Sequence, residues 1–531
     1  MKIFKKSLLF LTLGALPLTL GGCKKKPLVI PSVDVNSITI NLPERPVYDT
    51  GAIRSEGEFE FIDLYELSDF HGAVNYEPNH SAGTYIGLPK LATYFSQKRL
   101  LNPGGTVLLS CGDMFQGSAD SNLTRGYMVN YSMQYMGFDA MAVGNHEFDW
   151  TDEWIKKNSE LQYNTSTIPY LGANIQKNGE MPEFLHKSVV LNRGDYKIGV
   201  IGVIGSELEN SILKSAIENY SFVKYQSIVD EEALRLKAEE GCNAVVLLAH
   251  EAADKIEVVS NVDAVFGGHA HEDIVTTNNG VPAVATLNYG QSVAHISLKF
   301  NKADKTLVSD GSVGNIEAMQ TYGESLAENA GIKNILGQYA ESIDNIKHIK
   351  LGRCNEELEY DKALKNICVN SMHETAVKFA NSHAEAGIEA GRILAAYHNV
   401  KGGIRDNIQK GKIVYGDVYR AFPFDNEIVL IKVNGLLLKE KLIDPLNSYG
   451  LYRTFSKRSE LKENEDYYIC ATDYLALTKT FSSALKIEEK DLIRTGEIVR
   501  EVVANKIYEI GNVKNSKWGE MTENYKPVTR Y

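Results

Sequence analysis

The chain has no excess of positive charge, no closely spaced cysteine pairs and no low-complexity tract, and its longest apolar run is short for a membrane-spanning helix. Against 68 Asp and Glu stand 56 Lys and Arg, a net charge of −12. A protein that grips a nucleic-acid backbone needs a positive surface to displace counterions, so a polynucleotide is excluded as the main partner. A small phosphate ester is not excluded, because a bound metal pair supplies positive field locally. Beyond Cys23 the cysteines are Cys111, Cys242, Cys354, Cys368 and Cys470, an odd and scattered set that makes no disulfide framework and no zinc ribbon. A single bridge, for example Cys354 to Cys368, stays open in an oxidising compartment. What is present is an ordinary globular composition, 44% apolar and 23% charged, over 531 residues. That length predicts two domains and a linker.

At the N-terminus Lys2, Lys5 and Lys6 precede an apolar run from Ser7 to Leu20, which ends in Leu20-Gly21-Gly22-Cys23. This reads as an export signal. It resembles a bacterial lipoprotein signal, which implies cleavage before Cys23, lipid on Cys23, and a chain anchored to a membrane on the periplasmic or cell-surface side. Lys24 to Gly57, polar and holding Pro27, Pro31, Pro43 and Pro46, reads as a tether.

From Glu58 to Phe300 short apolar runs alternate with longer amphipathic stretches. Strands are expected at Phe59 to Leu67, Val107 to Ser110, Ala140 to Val143, Lys197 to Ile204, Ala244 to Ala249 and Ala264 to Phe266. The pattern predicts an α/β domain whose sheet is covered by helices, with ligand groups gathered beyond the strands' carboxyl ends. Ile332, Ile335, Leu336, Tyr339, Ile343 and Ile346 recur at helical spacing and predict a linker helix over 321–349. The second domain, 350–512, should be smaller and mixed α/β, with helices near Ile367 to Ser382 and Gly496 to Ile510 and strands at Glu427 to Val433 and Tyr467 to Ala471. A polar tail follows.

The chemistry gathers at the strand ends. Asp69 and His71, in Ser68-Asp69-Phe70-His71-Gly72, would project from one face of extended chain and could grip one cation together. Gly112 lets the backbone turn, and Asp113 offers a carboxylate able to bridge two cations. Gly144-Asn145-His146-Glu147-Phe148-Asp149 adds an amide, an imidazole and a carboxylate within six residues. His250 closes one strand, and Gly267-Gly268-His269-Ala270-His271 closes the next. Five clusters of oxygen and nitrogen donors at strand ends point to metal.

The ordered set Asp-x-His, Gly-Asp, Gly-Asn-His-Glu, His and Gly-His-x-His resembles the calcineurin-like metallophosphatase superfamily, over about Glu58 to Phe300. The resemblance implies a four-layer α-β-β-α domain over 58–320 with two divalent metal ions. One ion takes Asp69, His71 and His271, the other takes Asn145, His250 and His269, and Asp113 bridges them. His146 stays off the metals, paired with Asp149, to stabilise charge and protonate the leaving oxygen. Mixed carboxylate, amide and imidazole donors suit Zn, Mn, Fe or Co.

In the second domain, Lys401-Gly402-Gly403-Ile404-Arg405, Gly411 to Tyr415 and Phe422-Pro423-Phe424-Asp425-Asn426 resemble the C-terminal domain of the 5′-nucleotidase and UDP-sugar hydrolase family. The resemblance implies nucleotide contact by Gly402, Gly403 and Arg405, and a base held between Phe424 and Tyr474. It departs from the family at Val400, where an Asn is usual, and at Leu477-Thr478-Lys479-Thr480, which lacks a ribose-binding carboxylate. The implied activity is hydrolysis of extracellular nucleotides to nucleoside and phosphate by metal-activated water. The departures also admit 2′,3′-cyclic nucleotides or other phosphate esters, and a lipid-anchored binding module without catalysis is the reading from another class.

Overall fold

The computed structural model describes residues 28–48, 51–80, 83–253, 255–256, 259–278, 280–308, 311–397, 403–439, 451–453, 462–477, 482 and 486–518. The apolar runs of the first half become strands at Phe59–Glu66, Thr106–Ser110, Ala140–Ala142, Tyr196–Ile204, Ala244–His250 and Ala264–Gly267. They divide between two sheets. Phe59–Glu66, Thr106–Ser110, Ala140–Ala142 and Tyr170–Leu171 run parallel in the first, with Ser292–Asn301 and Val313–Ala318 added antiparallel at one edge. Tyr196–Ile204, Ala244–His250, Ala264–Gly267 and Val281–Ala285 run parallel in the second, flanked by antiparallel Ser188–Arg193 and Ile274–Asn278.

Side chains from both sheets meet in a core of Ile62, Leu64, Val107, Leu109, Val200, Val246, Leu248 and Phe266, all fully buried. Successive strand residues face opposite ways. The other faces therefore need cover, which helices Leu88–Leu101 and Tyr127–Met136 supply on one side and Gln226–Ala238 on the other. The result is the expected four-layer arrangement of helices, two sheets and helices.

The periodic segment after this domain forms the helix Ala330–Lys347, whose first turn is capped by the Asn329 side chain. Ile332, Ile335, Tyr339 and Ile343 sink into the core of the first domain, and Ile346 enters that of the second. The second domain wraps the buried helix Ala363–Ser382 with a five-stranded sheet that includes Glu427–Asn434 and Asp466–Thr472, and with the helix Val499–Ile510.

One expectation changes, and one possibility left open is closed. The described part of the tether does not hang free. Leu28, Ile30 and Val33 pack on the second domain and Ile38, Ile40 and Leu42 on the first, because apolar residues recur among its polar ones. The Leu28 and Asn41 amides donate to the Asn505 and Gln338 side chains. The bridge between Cys354 and Cys368 does not form: all five described cysteines are buried and free. The export signal with Cys23, the residues from 519 onward, Val400, Gly402 and Thr480 lie outside the described residues. No described helix is long and apolar enough to cross a membrane.

Candidate metal centre

Parallel strands bring their carboxyl ends to one edge, and the five donor clusters follow those ends directly. Asp69, His71 and His271 converge as one group, and Asp113, His250 and His269 as a second. Asn145 joins the second group, its Oδ1 lying 3.0 Å from both His250 Nε2 and His269 Nδ1. Asp69, Asp113, Asn145 and His250 are all but inaccessible to solvent.

The local backbone corrects the reading of Asp69 and His71. They do not sit on extended chain; they have φ of 49° and 48°, and Asp113, His269 and His271 have 53°, 66° and 56°. Five of the seven donors are thus in the left-handed region without being glycine, at about 1–3 kcal/mol each. The turns fold the chain back across the sheet ends, which extended chain would overrun. Lacing between neighbouring loops holds them there: the Asp69 and His71 amides donate to the Gly112 and Asp113 carbonyls, both at 3.0 Å. Gly112, at φ 97°, lies where a methyl group would come within 2.4 Å of the Gly144 nitrogen. Two donor loops can approach this closely only without a Cβ.

Hydrogen bonds also orient the imidazoles. His71 Nδ1 donates to the Gln116 carbonyl at 2.9 Å and His250 Nδ1 to the Cys111 carbonyl at 2.7 Å. Each Nε2 is thereby aimed into the donor cluster. That of His71 faces His271 Nε2 at 3.2 Å, which is itself 3.3 Å from Asp69 Oδ1. That of His250 faces Asp113 Oδ2 at 3.2 Å; burial opposes protonation, but that carboxylate raises the His250 imidazole to about 10 when only a proton can stand between them. Ring nitrogens and carboxylates converging this closely need a cation among them, so this donor set fits divalent metal. Burial, then the nearby His271, pushes the His71 imidazole down to about 3, and burial and His250 push His269 down to about 4. Both are neutral and can ligate.

His146 and Asp149 lie on one short 3-10 turn, with His146 Nδ1 2.9 Å from Asp149 Oδ2. Burial opposes protonation of His146, but Asp149 and Asp113 outweigh it and raise the imidazole to about 9. The His146 amide donates to Asp113 Oδ1 at 2.8 Å. Glu147, read above only as part of its motif, accepts from the amides of Asp113, Met114 and Gly144 at 2.8, 2.9 and 2.8 Å. It pins two donor loops together. Gln116 and Asn288, whose side chain lies 3.0 Å from His271 Nδ1, were also missed; neither stands in a donor cluster that would mark it.

The second domain closes over this edge. Phe424 stacks on His146 with centroids 5.7 Å apart, and the Arg405 guanidinium lies 5.1 Å from the Phe424 ring centre. Gln116 and Asn122 donate to the Pro423 carbonyl, and Asp425 pairs with Arg125 of the first domain and Arg500 of the second. A cavity of about 300 Å³ is lined by Asp113, Asn145, His146, Asp149, His269 and His271 from one domain and by Gly403, Arg405, Phe424 and Tyr474 from the other.

This fold and donor set define a calcineurin-like phosphoesterase, a hydrolase of phosphoester bonds, and the pattern of that family matches residues 64–273. The pattern of the 5′-nucleotidase C-terminal domain matches residues 361–455. The chain belongs to the 5′-nucleotidase family. It is 24% identical over 407 residues to a 5′-nucleotidase of Bos taurus, a match covering 68% of this chain and 67% of that one. It is 23% identical over 414 residues to Endonuclease YhcR of Bacillus subtilis, covering 71% of this chain but only 32% of the endonuclease, so it spans about a third of that relative. Among solved structures, a 5′-nucleotidase precursor from Thermus thermophilus superposes with a TM-score of 0.67 at 19% identity, over 85% of this chain and 97% of that one.

Proposed function

We propose that the protein is an exported, lipid-anchored phosphohydrolase that releases phosphate from nucleoside monophosphates. The observation that carries this reading is the single cavity joining the donors to Phe424, Tyr474 and Arg405, since one ligand could reach both ends of it. Flat aromatic walls suit a nucleobase, and each stacked base is worth about 1–3 kcal/mol. Arg405 supplies charge for the phosphate.

Asp69, His71 and His271 would hold one divalent cation, and Asn145, His250 and His269 a second. Asp113 would lie between the two, near enough to act electrostatically on His71 as well as His250. Zn, Mn, Fe or Co, when bound, would polarise the phosphate and acidify a water. The chain's own residues do the rest. Asp149 holds His146 Nδ1, so proton exchange with the leaving oxygen runs through Nε2. Phe424 covers that imidazole and keeps bulk water from it.

A panel of AMP, UMP, UDP-glucose and 4-nitrophenyl phosphate tests the substrate. Nucleotides should be preferred, and Tyr474→Ala should raise their KM about tenfold with little change for the aryl ester, from the loss of about 1–3 kcal/mol of stacking. Turnover of the aryl ester alone would remove the nucleotide from this reading. The location rests on Leu20-Gly21-Gly22-Cys23. Cells expressing the chain should incorporate labelled palmitate into it, and Cys23→Ser should abolish the label; label retained in that variant would dismiss the anchor.

A further inference from the structure

A second cavity, also of about 300 Å³, opens on the His71 side of the donor edge. It shares the partition formed by Gln116, Arg405, Pro423 and Phe424 with the first, so the two flank one reaction centre. Its wall is aromatic. Tyr85 and Tyr289 lie 4.6 Å apart at an interplanar angle of 31°, and Tyr289 reaches to 5.7 Å from the His71 ring.

Tyr289 is held at φ 58°, a conformation a bulky residue rarely adopts, and its amide donates to the Asp69 carbonyl at 2.9 Å. Strain of this kind persists where the surroundings fix it, and here it ties the aromatic wall to a donor loop. Of its cations, Lys347 and Arg420 are engaged by Asp120 at 2.7 Å and Asp406 at 2.9 Å, while Arg405 stands on the partition beside the donor edge, where it serves the phosphate. Space of this size beside flat rings, away from that partition, suits a neutral ring-bearing group.

A phosphomonoester has one organic arm and fills one cavity. We propose that the Tyr85 and Tyr289 cavity receives the second arm of an acyclic phosphodiester, a neutral sugar or nucleoside, which extends the substrate class of this site and rests on the phosphohydrolase reading above. In the reaction the oxygen of water bonds to phosphorus, and the bond from phosphorus to the ester oxygen of the Phe424-side arm breaks. That oxygen keeps the electron pair and takes one proton of the water, the other proton passing to solvent. The Tyr289-side arm remains on the product as a monoester.

The test compares bis(4-nitrophenyl) phosphate with 4-nitrophenyl phosphate, and AMP serves as a separate substrate. Tyr85→Leu removes one flat wall, and Asn75→Trp plugs the cavity from an exposed position on its rim. In each variant the ratio of diester KM to monoester KM should rise about tenfold, as expected for one lost stacking partner. Calorimetric binding of the same two esters to metal-depleted protein should show the same change in ratio. Should Tyr85→Leu fail to fold, Asn75→Trp still decides the matter. A folded Asn75→Trp protein with the wild-type ratio by both measurements overturns the proposal. AMP hydrolysis without a shifted ratio removes this inference alone, whereas a shifted ratio without AMP hydrolysis supports it and removes only the monophosphate reading.

Discussion

Asp113→Asn is expected to lower kcat for any phosphate ester about 10³-fold, with the protein still folded. In the proposed centre the Asp113 carboxylate would supply charge to both donor groups, and charge stabilisation by a held metal pair is worth several kcal/mol, each 1.4 kcal/mol being a factor of ten. An amide keeps the shape and can still accept from the His146 amide at Oδ1, so the melting temperature of metal-free protein should hardly fall. The variant's charge is what changes. It should also bind less metal than the parent by elemental analysis. Wild-type turnover in Asp113→Asn would place the chemistry away from this edge of the sheets.

His146→Asn should produce the second large effect, a fall in kcat of about 10²–10⁴-fold, the range for a lost general acid. Its signature is a dependence on the leaving group. Nitrophenolate departs readily as an anion, whereas an alkoxide needs a proton, so AMP should lose far more rate than 4-nitrophenyl phosphate. Metal content should match the parent, because the His146 side chain pairs with Asp149 and belongs to neither donor group. Equal losses for the two esters would leave His146 with charge stabilisation and no proton transfer.

Much of this site was legible before any coordinates. The strand ends were visible because a two-sided buried strand must be apolar, as Val245 to Ala249 is, and polar residues such as His250 can enter only where it stops. The pairing of His146 with Asp149 came from the family resemblance, and their separation of three along a tight turn allows it. Glu147 was harder to read. Its three accepted amides belong to backbone from two separate loops, and a backbone donor leaves no mark on residue type.

The sequence by itself determined which donors exist and where the donor-bearing strands end, because burial forces apolar composition and metal chemistry favours His, Asp and Asn; edge strands such as Ser188–Arg193 and Val313–Ala318 were not read from it. Only the tertiary structure decided how those donors meet. The left-handed turns at Asp69, His71, Asp113, His269 and His271 are fixed by long-range contacts such as the His269 amide on the Asp69 carboxylate, 200 residues away; Asp and His tolerate that conformation better than most residues, but their local preference does not dictate it. The same holds for Phe424 over His146 and for the two cavities beside it: packing between domains depends on surfaces that chain order does not encode locally.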